Sequence, residues 1–387
     1  MLRNYVIATF ILLSFSCNRK SQTTDARSLS TIDFTSLDPS LKDNIVNRIN
    51  VHPIKDINNL ITGYPNKILQ SDNSFVLADL EAKKEIYLLN ESFIVKGKIA
   101  KSGNGPEEYS DIYDLDYDPT YQNLVIMSHS KMVEYSLSGD FKRAITFNFI
   151  PDHLILFDGK KIIWNVNTAL ENQIFRFYEL NHNYEVIHRQ IPFMPFEQTF
   201  NNVPNKVTGK TKELAYFTSW ANDTLYILNK GADQLHKSIL NFGEKSYRDV
   251  DLQKFVSSEE ANLYLEKSNV LQWDLITLTE GYIFVGVSQS GKGQLIIHKK
   301  STKQTYLSKQ NLDLVDYVLL TAINSSNVVV GNKIYFIVES EMINELKQFS
   351  LESESNNVIA ESFRRMEVSS ANASLFSIVE LELKNGI

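Results

Sequence analysis

From about Asn66 onward the chain is written in short runs rich in Val, Ile, Leu, Phe and Tyr, separated by Gly, Asn, Asp and Ser turns, and the runs return in groups of four. Residues 67–99 hold one group: Ile68–Gln70, Phe75–Asp79, Ile86–Leu89 and Phe93–Ile99. Residues 112–147 hold a second: Ile112–Tyr117, Leu124–Met127, Met132–Ser136 and Phe141–Phe147. Both use the same phrase, a strand, a polar turn and a strand led by Phe: Asn90-Glu91-Ser92-Phe93 and Ser138-Gly139-Asp140-Phe141. Looser copies follow. Leu154–Phe157, Ile162–Val166, Ile174–Leu180 and Tyr184–Ile191 make a third. Leu214–Phe217, Thr224–Leu228 and Leu235–Phe242 make a fourth, with three strands. Leu271–Leu278, Tyr282–Val287, Leu295–Lys299 and Thr305–Lys309 make a fifth, and Val318–Ile323, Val328–Val330, Lys333–Val338 and Leu346–Phe349 a sixth.

A repeat of about 40–60 residues suits the four-stranded blades of a propeller, which protects its sheet edges by radial arrangement. A jelly roll or an immunoglobulin array would not repeat one four-strand phrase. The expected fold class is therefore all-β, a six-bladed β-propeller of four-stranded blades with one short inserted helix. That helix opens at Ser257, whose spacing to Glu260 is that of a capping box, and runs through Leu265. A shorter helical turn is expected near Ser40 to Ile49. The ring must close, and two segments compete for the closing strand. Phe376–Leu383 alternates on both sides of a slip at Ile378-Val379, read as a bulge. Ile49–Ile54 is the rival, confined to an edge by Pro53.

The N-terminus sets the destination. Arg3 precedes a mostly apolar run from Tyr5 to Phe15, with Ser16 and Cys17 behind it. A helix of roughly 11 residues is about 17 Å long, too short for a ~30 Å hydrocarbon core, so the segment reads as a cleaved signal. Cys17 is the only cysteine, which excludes an internal disulfide and a multi-cysteine zinc site. Its position resembles a lipobox, where bacterial lipoproteins are diacylated and cleaved, with Ser14 in place of the usual Leu. The expected organisation is a signal peptide over residues 1–16, a flexible tether over 17–40 and the propeller over 41–387. Lipid on Cys17 would hold the body at a membrane, since buried methylenes contribute about 0.8 kcal/mol each.

The net charge is −7, from 39 basic and 46 acidic residues, so phosphate backbones are not attracted and nucleic acid is not an expected partner. Gly286 to Gly293 nearly spells a phosphate-binding loop, but Gly293 stands where Ser or Thr would hold magnesium and a strand follows, so a hairpin is expected. Asp114, Asp116 and Asp118 alternate along a strand without the glycine and glutamate of a calcium loop. Three carboxylates on one face repel unless solvated, paired or bound to a cation, so calcium is the one cofactor this stretch raises. Inner strands line a propeller's channel, which makes Asp114 and Asp116 candidate channel residues. The seven histidines show no metal-binding helix spacing, and no G-x-S-x-G elbow is present. Trp164, Trp220 and Trp273 are the residues a carbohydrate would stack on; blade core is the expected place for such large rings, and Trp220 is kept as a ligand candidate.

Gly103-Asn104-Gly105-Pro106-Glu107-Glu108-Tyr109, ahead of Ile112–Asp118, resembles the G-x-G-P-x-E-Y turn of the six-bladed β-propeller lipoproteins of Bacteroidota, relatives of NHL-repeat propellers. Gly103, Gly105, Pro106, Glu108 and Tyr109 match, as do Ala78-Asp79, Ile86-Tyr87 and Asp118-Pro119. Trp220–Tyr226 resembles a later blade of that family. The resemblance implies the fold and a cell-envelope location, lipid-anchored at the outer membrane and facing the periplasm, since Asn18, Arg19 and Lys20 form no acidic export cluster. It implies no shared activity. The expected function is a non-enzymatic scaffold for an envelope protein or glycan. The alternative is an NHL-like lyase or hydrolase with a metal in the channel. The glycines of the turn permit close backbone approach, proline fixes its exit, and Tyr109 is placed to plug between blades, so the turn is expected to be structural.

Overall fold

A computed structural model describes residues 30–385 apart from 57, 130, 147–150, 166–174, 194–207, 219–222, 247–253, 256–257, 269, 290–291, 353–356 and 366–374. Its strands form six sheets. Blade 1 is β3 (Lys67–Ser71), β4 (Ser74–Asp79), β5 (Glu85–Leu89) and β6 (Val95–Ile99). Blade 2 is β7 (Asp114–Asp118), β8 (Asn123–Met127), β9 (Lys131–Ser136) and β10 (Phe141–Thr146). Blade 3 is β11 (His153–Phe157), β12 (Lys160–Trp164), β13 (Phe175–Leu180) and β14 (Val186–Pro192). Blade 4 is β15 (Thr208–Lys210), β16 (Leu214–Thr218), β17 (Thr224–Asn229) and β18 (His236–Asn241), and β1 (Ser30–Asp33) adds to it in parallel. Blade 5 is β19 (Gln272–Leu278), β20 (Tyr282–Gln289), β21 (Lys292–Lys299) and β22 (Gln304–Leu307). Blade 6 is β23 (Asn327–Val330), β24 (Lys333–Glu339), β25 (Phe376–Leu383) and, outermost, β2 (Val46–Pro53). Each blade is an antiparallel meander, and the inner strands β3, β7, β11, β15, β19 and β23 surround the channel, with β23 returning to β3. The chain is a six-bladed β-propeller.

The blades pack face on face through apolar layers. Leu115, Leu124 and Ile126 of blade 2 meet Val76, Ile86 and Ile99 of blade 1 in one core; Trp164 and Phe177 of blade 3 meet Phe217 and Leu228 of blade 4 in another. Residues with both faces covered, such as β7 and β25, do not need to alternate in hydropathy.

Three features differ from expectation. First, Val318–Ile323 and Leu346–Phe349 are helical. They lie in α2 (Leu314–Asn324) and α3 (Ser340–Glu352), and with α4 (Val358–Arg365) these helices join α1 (Ser258–Lys267), the one anticipated. α2 is wedged against blades 5 and 6 and buried over most of its surface, so its apolar run lacks the 3.6-residue period that separates helix from strand. The missed signal is Asp313, whose carboxylate caps the N–H of Asp316 at 3.1 Å. Second, both rival segments close the ring: β25 lies between β24 and β2, and Pro53 sits on the outer edge strand. Third, β25 pairs with β24 without interruption through Ile378-Val379; the register shift lies on β2, between Val46 and Arg48. Near Ser40 the chain makes one 3-10 turn, Leu41–Asn44.

Residues Ser30–Ser40, assigned from sequence to the tether, run along the outer rim. β1 pairs with β18 on blade 4, Phe34 stacks on Phe242 at 4.9 Å, and Thr305 of blade 5 exchanges main-chain bonds with Ser36 and Asp38 before β2 joins blade 6.

The channel cup, a candidate ligand site

Five inner strands begin with a polar residue that reaches the channel: Lys67, Asp114, His153, Thr208 and Asn327. Together with the end of α2, they wall a cavity of about 460 Å³. Among the described residues blade 5 contributes no wall residue, and Asn324, Ser325 and Ser326 complete the wall. The floor is Lys210. It also lines a second depression of about 520 Å³, with Pro119, Gly159 and Lys230, and so stands between the two cavities among the described residues; the first is the channel cup.

The sheet period of two puts Asp114 and Asp116 on the same side of β7, and both carboxylates do the same work. Asp114 accepts the N–H of Leu154 at 2.9 Å, and Asp116 that of Leu156 at 2.7 Å. Those N–H groups lie on the open inner edge of β11, which has no further strand to bond to, so the aspartates take the place of a neighbouring strand. Each carboxylate has its own lysine. Lys67 Nζ lies 2.9 Å from Asp114 Oδ1. Lys210 Nζ reaches Asp116 at 2.6 and 2.7 Å and donates to the Leu156 carbonyl at 2.8 Å. Burial works against the charge on Lys67, but the neighbouring Asp114 carboxylate outweighs it, with Asp116 behind, and holds the ammonium above its ordinary value. His153 Nδ1 stands 3.9 Å from Asp114 Oδ2. Burial pushes its pKa down against the pull of Asp114 and Asp152, and Lys67 adds to the push, so the ring is neutral near pH 7.

The third aspartate points away from the cup. Asp118 Oδ2 lies 3.3 Å from Lys161 Nζ, itself buried against the Tyr184 ring and 3.8 Å from Glu134. Glu134 also accepts from Tyr184 at 2.6 Å and Arg143 at 2.7 Å. Burial alone would raise its pKa; Arg143, Tyr184 and Lys161 reverse that and hold it below the usual carboxylate range. Lysines therefore supply the positive charge that the three-aspartate alternation calls for.

The glycine-rich turn lies away from the cup, between blades 1 and 2. The Glu108 carboxylate folds back onto the N–H of Gly105 at 2.8 Å. A Cβ on Gly103 would stand 2.1 Å from that carboxylate, so a side chain there would push Glu108 off the Gly105 N–H. Pro106 follows within the turn closed by Glu108 N–H on the Gly105 carbonyl. Tyr109 is fully buried, donates to the Lys84 carbonyl at 2.9 Å and meets Tyr135 edge-on at 6.5 Å. Gly286 to Gly293 spans the β20–β21 hairpin, with Gln289 paired to Lys292. Trp164 is blade core, its indole donating to the Thr218 carbonyl at 3.0 Å. Cys17 and Trp220 lie outside the described residues.

Sequence reasoning missed Lys67, His153, Lys161 and Lys210. For Lys67 and His153 the signal was available: aligning the repeats puts both on the position of Asp114, the first residue of an inner strand. Lys210 was hidden by β15, only three residues long and carrying a glycine. Gly209 faces Tyr216, whose hydroxyl would be 2.2 Å from an added Cβ.

Two solved structures share the architecture. One, from Bacteroides fragilis, is described as a "putative exported protein"; it is 12% identical with a TM-score of 0.66, over 92% of this chain and 100% of that one. The other, a member of the DUF4221 family from Bacteroides vulgatus, is 9% identical with a TM-score of 0.52, over 89% of this chain and 99% of that one. A comparison with curated proteins gives no match. A family model described as "Domain of unknown function (DUF4934)" matches residues 55–363, most of the propeller, and the chain belongs to that family.

Proposed function

We propose that the protein is a lipid-anchored, extracytoplasmic binding scaffold, held at the outer membrane through Cys17 and presenting the propeller to an envelope protein or glycan. The observation that carries this reading is the use made of the channel carboxylates. Asp114, Asp116 and Asp118 are buried, each is paired with a lysine, and Asp114 and Asp116 are bonded to the next blade's backbone. Those groups hold the ring together, whereas a metal-dependent lyase or hydrolase needs carboxylates or imidazoles turned to a common point. The signal-like N-terminus supports export, as does the description of the similar Bacteroides fragilis structure.

Crosslinking in intact cells followed by mass spectrometry tests the scaffold, with the Cys17→Ser variant as the anchoring control. The expected result is one reproducible envelope partner, lost when Cys17→Ser releases the protein from the membrane fraction. Recovery of monomer alone, with the crosslinking controls working, would overturn the scaffold. Membrane retention of Cys17→Ser would overturn the lipid anchor without touching the scaffold.

A further inference from the structure

The cup has a specific pattern of spent and spare hydrogen-bonding groups. Its carboxylates are spent. Asp114 accepts from Lys67 and from the N–H groups of Leu115 and Leu154, and Asp116 from Lys210 and the N–H groups of Tyr117 and Leu156. Lys210 is spent too, on Asp116 and the Leu156 carbonyl. Lys67 is not: an ammonium has three N–H donors, and among the described residues Asp114 is its one partner. His153 makes only the long 3.9 Å approach to Asp114, leaving its other ring nitrogen to the cavity. Asn66 uses its carbonyl oxygen on the Leu80 N–H and keeps its amide donors. Asn324 and Ser325 also line the cavity.

The spare groups are thus one ammonium and one neutral imidazole beside it, with amide and hydroxyl groups around the wall. This set fits an oxygen-rich ligand with one negative end. The size fits as well, since about 460 Å³ lies within the ~300–1,000 Å³ of small-molecule sites. We propose that the channel cup binds a small hydroxylated carboxylate of sugar-acid type, its carboxylate on Lys67 and His153 and its hydroxyls on Asn66, Asn324 and Ser325.

The proposal goes beyond the scaffold reading and does not depend on it. It also carries a proton. The charged groups facing His153 are Asp114 and Asp116 from β7, Lys67 from β3, Lys210 from β15 and the adjacent Asp152, with Glu81 exposed at the mouth, where water screens it. An added carboxylate makes the imidazolium favourable, so His153 takes up a proton as the ligand enters. Binding therefore strengthens as pH falls below neutrality, by at most about tenfold per pH unit.

Titration calorimetry on the purified protein tests this, with D-glucuronate as the probe and D-glucose as its neutral counterpart. Repeating it in buffers of different ionisation heat counts the protons. The expected result is glucuronate binding at least about tenfold tighter than glucose, with net proton uptake. Lys67→Met bares the buried Asp114 charge and tests the fold along with the site, so the deciding variant is His153→Gln, checked for an unchanged thermal transition. It should abolish proton uptake and weaken glucuronate several-fold. Absence of glucuronate binding, equal affinity for glucose, a proton count near zero or an unaffected His153→Gln would each overturn the proposal.

Discussion

Asp116 carries two tasks on one carboxylate, neutralising Lys210 and closing the edge of β11 through the Leu156 N–H. Removing it leaves a half-buried ammonium and a buried N–H without partners. Breaking a buried pair from one side costs about 3–5 kcal/mol. Asp116→Ala should lose about 3 kcal/mol, the low end, because Lys210 keeps some contact with solvent. Asp116→Asn retains an acceptor for Leu156 and should lose less. The urea midpoints of the two variants check the order, and Lys210→Met added to Asp116→Ala should cost less than the sum of the two. A second residue-scale prediction concerns acid. Burial depresses His298, with Lys300 and Lys303 adding to it and Asp33 opposing. A histidine with a depressed value in the fold is protonated more readily when unfolded. The stability it protects is present above about pH 6.5 and lost as pH falls toward the folded value. Urea midpoints should therefore drop between about pH 7 and 5, and His298→Gln should flatten that slope. Below about pH 4.5, protonation of Glu134 and Glu380 should begin a second loss, since both are held below the usual range by cationic partners despite burial. The aspartates were legible from their alternation. Their lysine partners were not, because Lys210 and Asp116 are 94 residues apart and only the ring brings them together.

Among the elements, the outer-rim strap is the one whose role the sequence concealed. Residues 30–41 look like a linker because their charge and small polar residues mask two apolar anchors. Phe34 is buried against Phe242 and edge-on to His298, and Leu41 enters the blade 5–6 core. Phe→Ala at a buried site costs about 3–5 kcal/mol. At the rim of the fold that cost falls locally, so Phe34→Ala should free β1 while leaving the blades closed. Hydrogen exchange should show lost protection at Thr31–Phe34 and along β18, with blades 1 and 2 unchanged. β15 tells the opposite story. It is three residues long and carries no hydrophobic run, so nothing in its composition marks a strand, yet the cross-strand pair Gly209–Tyr216 fixes it. Gly209→Ala puts a methyl into the Tyr216 ring, and overpacking of that kind costs about 1–3 kcal/mol. A lowered melting temperature and the loss of Lys210 from the cup floor, read as a changed glucuronate affinity, would mark the displacement of β15. Helix α2 was illegible for a related reason: buried over most of its surface, its Val318–Ile323 run reads as a strand by length and composition alone.

For the whole molecule the question is how a ring with two chain ends stays shut. Blade 6 answers it by taking β23, β24 and β25 from the C-terminal part of the chain and β2 from the N-terminal part, so the last pairing of the propeller joins residues more than 300 positions apart. β2 does more than complete hydrogen bonds. Val46 and Ile49 enter the core shared by blades 5 and 6 and α2–α4, and Leu41 and Ile45 precede them into it. Without β2, that core opens to water and β25 becomes an exposed edge. A chain that begins after Ile54 should therefore melt at a markedly lower temperature and form dimers or larger species, because an exposed edge recruits another strand. A chain that begins at Ser40 should keep the ring and lose only the strap. Adding a peptide of residues 41–54 to the shorter chain should restore the monomer and much of the melting temperature, since the peptide supplies both the strand and its apolar anchors. Size-exclusion chromatography and thermal melts of the three samples decide the matter. Were the chain beginning after Ile54 as stable and monomeric as the one beginning at Ser40, the ring would be held by blade-to-blade packing alone, and the N-terminal strand would be an ornament of blade 6 and not its clasp.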